Sequence, residues 1–390
     1  MSNILGYKNS NQDSVDFVVN NIFEIINISI DFLSPFCQRA TLILSTPNAE
    51  VTRVLIKDDT LAKLGFKIFV MKKEKDLHVV YKMCLLSQSI VLSMDDMSFL
   101  ENYYNFLLYF LDFIHLTDVY YLFKLMLQYD IKINSYIQIK LVKFGLVDIL
   151  KELILKNIQM IRKKENIKDK TKGVLSLRSL FSLIYTMLKN PVISEFVDVK
   201  SILNILKDEY IDFPDDILNG KWEIISQLTQ CENYEVLSSF QDEAMKLLFK
   251  ENPYLKRYQV YVIHYFSALV PVYNEFGTNA VIDRIFNLFL QYKENSILNQ
   301  SIRIYLNSAI YNNEVGPYLL EKFLPLLTSE IKKDSHTLLT ASSYRIIITL
   351  IDSNLPFVND FFSNTQDYEE IQSLVKLYLD TSIQEYGGIT

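Results

Sequence analysis

Residues 174–188 read Val174-Leu175-Ser176-Leu177-Arg178-Ser179-Leu180-Phe181-Ser182-Leu183-Ile184-Tyr185-Thr186-Met187-Leu188. Val174, Leu177, Phe181, Ile184 and Leu188 recur at steps of three and four, which places them on one face of an α-helix. Upstream lies a polar, basic stretch, Arg162-Lys163-Lys164-Glu165-Asn166-Ile167-Lys168-Asp169-Lys170-Thr171-Lys172-Gly173, and downstream stands Asn190-Pro191. The same period governs Met97, Leu100, Tyr104, Leu107, Leu108 and Leu111; Leu122, Leu125, Met126 and Tyr129; Leu237, Phe240, Ala244, Leu247 and Leu248; and Ile282, Ile285, Phe286 and Phe289. Val51–Ile56 and Ile346–Leu350 are β-branched enough to suggest strands, yet their neighbours keep the helical period.

Composition agrees. The 390 residues include 9 glycines and 9 prolines, far below average usage of about 7% and about 5%. Sheet proteins need both for tight turns, and phosphate-binding loops need glycine for close backbone approach. The chain therefore reads as all-α.

Start signals divide the helices. Thr46-Pro47, Asn190-Pro191 and Asn252-Pro253 each set a capping side chain before a proline suited to a first helical position. Asp58-Asp59, Asp95-Asp96, Asp215-Asp216 and Glu369-Glu370 put carboxylates at the positive ends of helices. Gly145, Gly173, Gly220 and Gly277 fall between stripes, where helices end. First helices are expected near Asp58, Met97, Ser135, Val174, Pro214, Tyr254, Ser296 and His336, at steps of 38 to 42 residues. Two helices per ~40 residues is the period of HEAT and armadillo units. Each pair has more apolar face than it can bury alone, so neighbours stack. The expectation is one elongated domain over 1–390, an α-solenoid of stacked helix pairs, with 162–173 as a solvated basic loop within it.

The function classes narrow by chemistry. A formal net charge of −7 argues against a general nucleic-acid binder. The basic stretch 162–172 has no interleaved aromatic residue to stack on a base. Cys37, Cys84 and Cys231 are far apart and form no CxxC, which fits buried thiols in a reducing compartment. The sequons Asn27-Ile28-Ser29 and Asn299-Gln300-Ser301 then carry no glycan. No uncharged apolar run reaches the length of a membrane span, and the first residues show no secretory pattern. The expected location is cytoplasmic, or the nucleus. HExxH, GxSxG and GxxxxGK[ST] are absent. His78, His115, His264 and His336 have no metal-ligand spacing. His264, in Val262-Ile263-His264-Tyr265-Phe266, reads as a core or groove histidine. The paired acids cannot face one another on a helix and read as dipole and cap residues. The run Tyr103-Tyr104-Phe106-Tyr109-Phe110-Phe113 reads as core. No catalytic residue, cofactor, metal or small-molecule substrate is expected. An enzyme would require a deep pocket holding His264 or His115 against a carboxylate.

Residues 258–310 hold the segment Tyr258-Gln259-Val260-Tyr261-Val262-Ile263-His264, then Leu288-Phe289-Leu290-Gln291-Tyr292-Lys293-Glu294-Asn295-Ser296-Ile297-Leu298-Asn299-Gln300-Ser301-Ile302. This resembles the late part of the SAPS domain of protein phosphatase 6 regulatory subunits. Leu288, Phe289, Tyr292, Asn295, Leu298 and Ile302 fall on that pattern without a gap. Glu294, Ser296 and Asn299 depart from it, standing where the family has Trp, Asn and His. Cys37–Phe66 and Leu141–Leu150 are similar to two earlier parts of the family. The resemblance implies a non-catalytic scaffold that binds a Ser/Thr phosphatase catalytic subunit and directs it to substrates. It implies partner contact at Tyr292, Asn295, Leu298 and Asn299, although Asn295 also suits a helix cap. The alternative is another helical-repeat adaptor: a phosphatase 4 regulatory subunit 3 relative, a transport receptor or a cytoskeletal scaffold. A single Trp222 disfavours the transport receptor.

Overall fold

The computed structural model describes residues 12–31, 33–57, 77–93, 106–129, 135–163, 166–207, 210, 212–229, 234–333, 337–364 and 368–386. Among these the regular structure is entirely helical, and no strand occurs. Val51–Ile56 and Ile346–Leu350 are helical, so the period outweighs β-branching there. The chain forms two compact units, Met1–Ile205 and Leu206–Thr390.

The first unit contains α1 (Gln12–Asn20), α2 (Ile22–Ile30), α3 (Cys37–Ser45), α4 (Ala49–Ile56), α5 (Leu77–Ser93), α6 (Thr117–Leu127), α7 (Ser135–Lys143), α8 (Leu146–Arg162) and α9 (Ile167–Lys189); α10 (Val199–Leu206) ends at its boundary. Helix α3 packs on α2 and α5, α5 on α6, α6 on α9, and α9 along α8. Phe106, Phe110, Phe113, Leu122, Met126, Leu177, Phe181 and Ile184 are buried, so the described parts of those stripes face the core, except that Tyr129, just past the end of α6, is exposed. Phe106 and Phe110 meet edge to face at 5.3 Å. Tyr103 and Tyr104 lie outside the described residues.

The second unit contains α11 (Asp215–Leu228), α12 (Tyr234–Ser238), α13 (Gln241–Phe249), α14 (Arg257–Leu269), α15 (Asn279–Gln291), α16 (Ser296–Ala309), α17 (Gly316–Ile331), α18 (Leu338–Asp352), α19 (Pro356–Ser363) and α20 (Tyr368–Tyr386). Its packing is orderly. Helices α11, α14, α16, α18 and α20 each touch the next in that series, and α13, α15, α17 and α19 form a second series. Consecutive members α13–α14, α15–α16 and α17–α18 join the two series. Trp222, Tyr258, Tyr265, Phe289, Leu298 and Tyr305 fill the space between helices. Trp222 meets Tyr265 edge to face at 5.4 Å, a geometry that suits the ring quadrupoles.

Helix starts follow short polar side chains. The side chains of Asn48, Asn166, Asn295 and Thr337 accept backbone N–H groups of the first turn. Asp215-Asp216 and Glu369-Glu370 lie in first turns, as the macrodipole favours. Gly145 has φ +85° between α7 and α8, a conformation glycine adopts without Cβ strain.

Several boundaries differ from expectation. The cap of α4 is Asn48 rather than Thr46, and Asn190 closes α9 instead of opening a helix. Asn252-Pro253 precedes α14 by several residues. Gly220 lies inside α11. Gly173 lies inside α9, where an added Cβ would sit 2.9 Å from Ile161 Cγ1 of α8; glycine marks a close helix approach there, not an end. The 162–173 loop is likewise corrected. Its described residues are exposed except Gly173, but Arg162 ends α8 and 167–173 are the first turns of α9, because Asn166 caps Lys168 N and starts the helix earlier. Asp58-Asp59, Asp95-Asp96, Met97, Leu100 and Cys231 fall outside the described residues. Cys37 and Cys84 are free and buried. Among the described residues no helix is long and apolar enough to cross a membrane.

Candidate functional site

The candidate site is built on a recurring junction. In the second unit Gln259, in the first turn of α14, reaches back to the end of α13. Its Nε2 donates to Leu247 O (3.4 Å) and Lys250 O (3.2 Å), and its Oε1 accepts from Lys256 N at 3.1 Å. One helix pair later, Asn299 of α16 donates from Nδ2 to Lys293 O (2.8 Å), just beyond α15. In the first unit Gln138 of α7 donates to Met126 O (3.1 Å) and Gln128 O (2.7 Å) at the end of α6. All three amides are buried, at 1 to 2% exposure. Gln259 and Asn299 are one ~40-residue period apart, and Gln138 precedes Gln259 by three such periods. Helix C-termini leave carbonyls without intrahelical donors, and here the next helix supplies them. Sequence reading missed this clasp. Its signal was a polar amide near the start of an otherwise apolar face.

Around the Gln259 clasp opens a cleft of about 200 Å³ lined by Glu251, Asn252, Gln259, Arg284, Leu288, Gln291 and Tyr292. Arg284 of α15 donates from Nε to Leu248 O (3.0 Å) and from Nη2 to Lys250 O (3.4 Å). Asn252 Nδ2 lies 3.2 Å from both Lys250 O and Tyr258 Oη. Burial pushes the Tyr258 hydroxyl up from its ordinary pKa, so it stays a neutral phenol at physiological pH. The mouth presents exposed Glu251 and Gln291 beside half-buried Arg284 and Tyr292. These are hydrogen-bonding groups around an aromatic ring.

The four residues expected at the contact separate into two roles. Tyr292 lines the cleft. Asn295 caps α16, its Oδ1 accepting Leu298 N at 2.9 Å. Leu298 is fully buried, and Asn299 is committed to its clasp. Arg284, Asn252 and Gln291 belong to the cleft and were not anticipated; they lie up to 40 residues apart, and only the fold brings them together.

The groups that could carry chemistry lie elsewhere. His264 Nε2 lies 2.7 Å from Ser301 Oγ, and that hydroxyl donates to Ile297 O (2.9 Å), so the imidazole N–H donates to Ser301. Burial holds the His264 pKa below its usual value. Burial, then the nearby Lys172 charge, does the same to His115. A second cavity of about 370 Å³ in the first unit is lined by Ser34, Pro35, Cys37, Gln38, His78, Tyr81 and Lys82. The larger volume does not make it the better site. Cys37 donates its thiol proton to Ser29 O (3.2 Å), and Lys82 donates to Thr41 Oγ1 (2.9 Å), so both are committed internally. Burial raises the Cys84 thiol pKa far above its ordinary value, leaving it an inert thiol. Among the described residues no group of three or more His, Cys, Asp or Glu is placed to hold a metal ion.

No family model matches the chain. No curated protein matches it either. Among solved structures, the chain is similar to an engineered protein at 12% identity and a TM-score of 0.38, over 92% of this chain and 97% of that one.

Proposed function

We propose that this chain is a non-catalytic binding subunit. It is built as an α-solenoid of HEAT/armadillo-like helix pairs, and its partner is the catalytic subunit of a Ser/Thr protein phosphatase of the phosphatase 6 type. The observation that carries the architectural half is the clasp. Buried amides recur at the period of the helix pairs, and each ties one pair to the turn before it. Stacked pairs of this kind expose long helical surfaces suited to gripping another protein. The partner is inferred from the Leu288–Ile302 segment, whose resemblance to the SAPS domain coincides with the cleft at Tyr292. The site is read as binding and orienting a partner through Arg284, Asn252 and Tyr292.

A second reading, a helical-repeat adaptor for a different partner, is favoured by one observation. Asn295 and Leu298 are used inside the fold, so folding alone accounts for two of the matched positions, and Asn299, which departs from the pattern, is committed to its clasp. Mixing the purified chain with purified phosphatase 6 and phosphatase 4 catalytic subunits decides between the two. Co-elution with phosphatase 6, weakened about tenfold by Tyr292→Ala, supports the first reading. Co-elution with neither removes the phosphatase assignment. Co-elution unaffected by Tyr292→Ala or Arg284→Ala moves the contact away from this cleft.

A further inference from the structure

Three helix ends of the first unit meet at one residue. Asn190, fully buried at the end of α9, donates to Leu127 O of α6 (2.9 Å) and to Gln138 Oε1 of α7 (3.2 Å). Tyr120 Oη and Ser182 Oγ, 2.8 Å apart, join the same two helices further back. The two links have sequence separations of 62 and 63 residues, so α6 and α9 run side by side and parallel. Four lysines lie within a few residues of this junction: Lys124 of α6, Lys189 of α9, and Lys140 and Lys143 of α7. At 1.5 Å rise per residue, each backbone position is within about 10 Å of it along its own helix.

Each of these ammonium groups sits over an aromatic ring. Lys124 Nζ is 5.8 Å from the Tyr120 centroid, and Lys189 Nζ is 4.6 Å from that of Tyr185. Lys140 Nζ is 5.4 Å from Tyr136 and 5.7 Å from Phe144, and Lys143 Nζ is 4.7 Å from Phe196. Among the described residues none of the four has a carboxylate partner. Elsewhere lysines do have one: Lys221 with Glu243, Lys256 with Asp215, Lys322 with Asp283. A helix C-terminus attracts lysine, but each terminus supplies only about half a negative charge, which leaves a cationic surplus here. The surplus is regional. Residues 117–207 carry sixteen Lys and Arg against eight Asp and Glu, six and two of them in the separate stretch 162–172, in a chain whose net charge is −7.

We propose that this lysine–aromatic surface binds a short acidic peptide, rich in Asp and Glu, from a partner protein. The rings hold the ammonium groups in place without neutralising them, which limits the side-chain entropy lost when carboxylates arrive. A nucleic acid fits less well. The ring faces that would stack on bases are covered by the lysines. The inference rests on the first unit alone and does not depend on the cleft at Tyr292.

The test is fluorescence anisotropy on the full chain at about 50 mM salt, where such contacts are weakly screened. The probes are a labelled deca-glutamate peptide, a deca-glutamine peptide and a 20-nucleotide oligo-dT. We expect the glutamate peptide to bind, the glutamine peptide not to, and K124E/K140E/K143E/K189E to weaken binding more than about tenfold. Reversal at the solvated start of α9, K168E/K170E/K172E, should change it less than about threefold. The exposed singles Lys143→Glu and Lys189→Glu, whose folding is checked by circular dichroism, should each give a partial loss. No binding of the glutamate peptide, or equal losses in both reversal sets, overturns the proposal. So does tighter binding of oligo-dT, which would assign the surface to nucleic acid.

Discussion

Replacing Gln259 by alanine removes three hydrogen bonds at once. Not all three vacancies are equal. Lys250 O keeps donors from Asn252 Nδ2 and Arg284 Nη2, so the groups that lose their clasp partner outright are Leu247 O and Lys256 N. Leaving a buried polar group unsatisfied costs about 1–3 kcal/mol; the buried Leu247 O, the half-buried Lys256 N and the vacated side-chain volume together give about 3 kcal/mol for Gln259→Ala. Gln259→Glu, nearly identical in shape, turns a donor into an oxygen facing two carbonyl oxygens and should cost at least as much. Asn299 discriminates further. It makes one clasp bond, and its Oδ1 is buried without a donor. Removing it relieves that deficit, so Asn299→Ala should cost only about 1 kcal/mol or less. The exposed neighbour Gln291 serves as control, with a change within about 0.5 kcal/mol. Urea unfolding followed by circular dichroism reads all four variants. A Gln259→Ala cost below about 1 kcal/mol, or an Asn299→Ala cost exceeding it, would refute the reasoning that the amides hold the helix turns together.

Further outcomes follow from buried charge. Lys221 is fully buried, with Nζ 2.6 Å from Glu243 Oε2 and 4.6 Å from the Tyr210 ring. Lys221→Met should cost about 3–5 kcal/mol by stranding the carboxylate, while K221M/E243L should recover most of it; equal costs for the single and double variants in urea unfolding would contradict this. His264 has a folded pKa held below its usual value by burial, so its neutral form is favoured by folding. That contribution is complete above the unfolded pKa of about 6.5 and is lost as the pH falls through it toward the folded value. The slope of unfolding free energy against pH should flatten below about 6.5 in His264→Asn, leaving the part due to His115; an unchanged slope would exclude His264 as a contributor.

Much of the fold was legible because burial of a helical face imposes its period on sequence. Leu177, Phe181 and Ile184, or Leu237, Phe240, Ala244, Leu247 and Leu248, declare their helices and their buried sides without tertiary information. Boundaries were read less well. Asn190-Pro191 has the composition of a helix start, yet Asn190 is recruited to join α6, α7 and α9, a contact set by residues over 50 positions away. Gly173 has the composition of a helix end, yet it admits Ile161 of α8. Of the residues that line the cleft, Tyr292 was named on resemblance, but Arg284 and Asn252 were not. Arg284 looks like a solvated arginine until the end of α13 lies beside it. Asn299 shows the converse: a polar residue in a motif that the fold uses internally.

The central claim is that helix pairs of the second unit stack on their neighbours in series, and native-state hydrogen exchange measured peptide by peptide tests it most directly. A series of nearest-neighbour contacts predicts graded protection. Exchange should be slowest in α16, which is flanked by α14 and α18, and faster toward α20, and Gln259→Glu should lower protection first in α13 and α14. A single protection level across α11–α20, falling everywhere at once in that variant, would contradict the account.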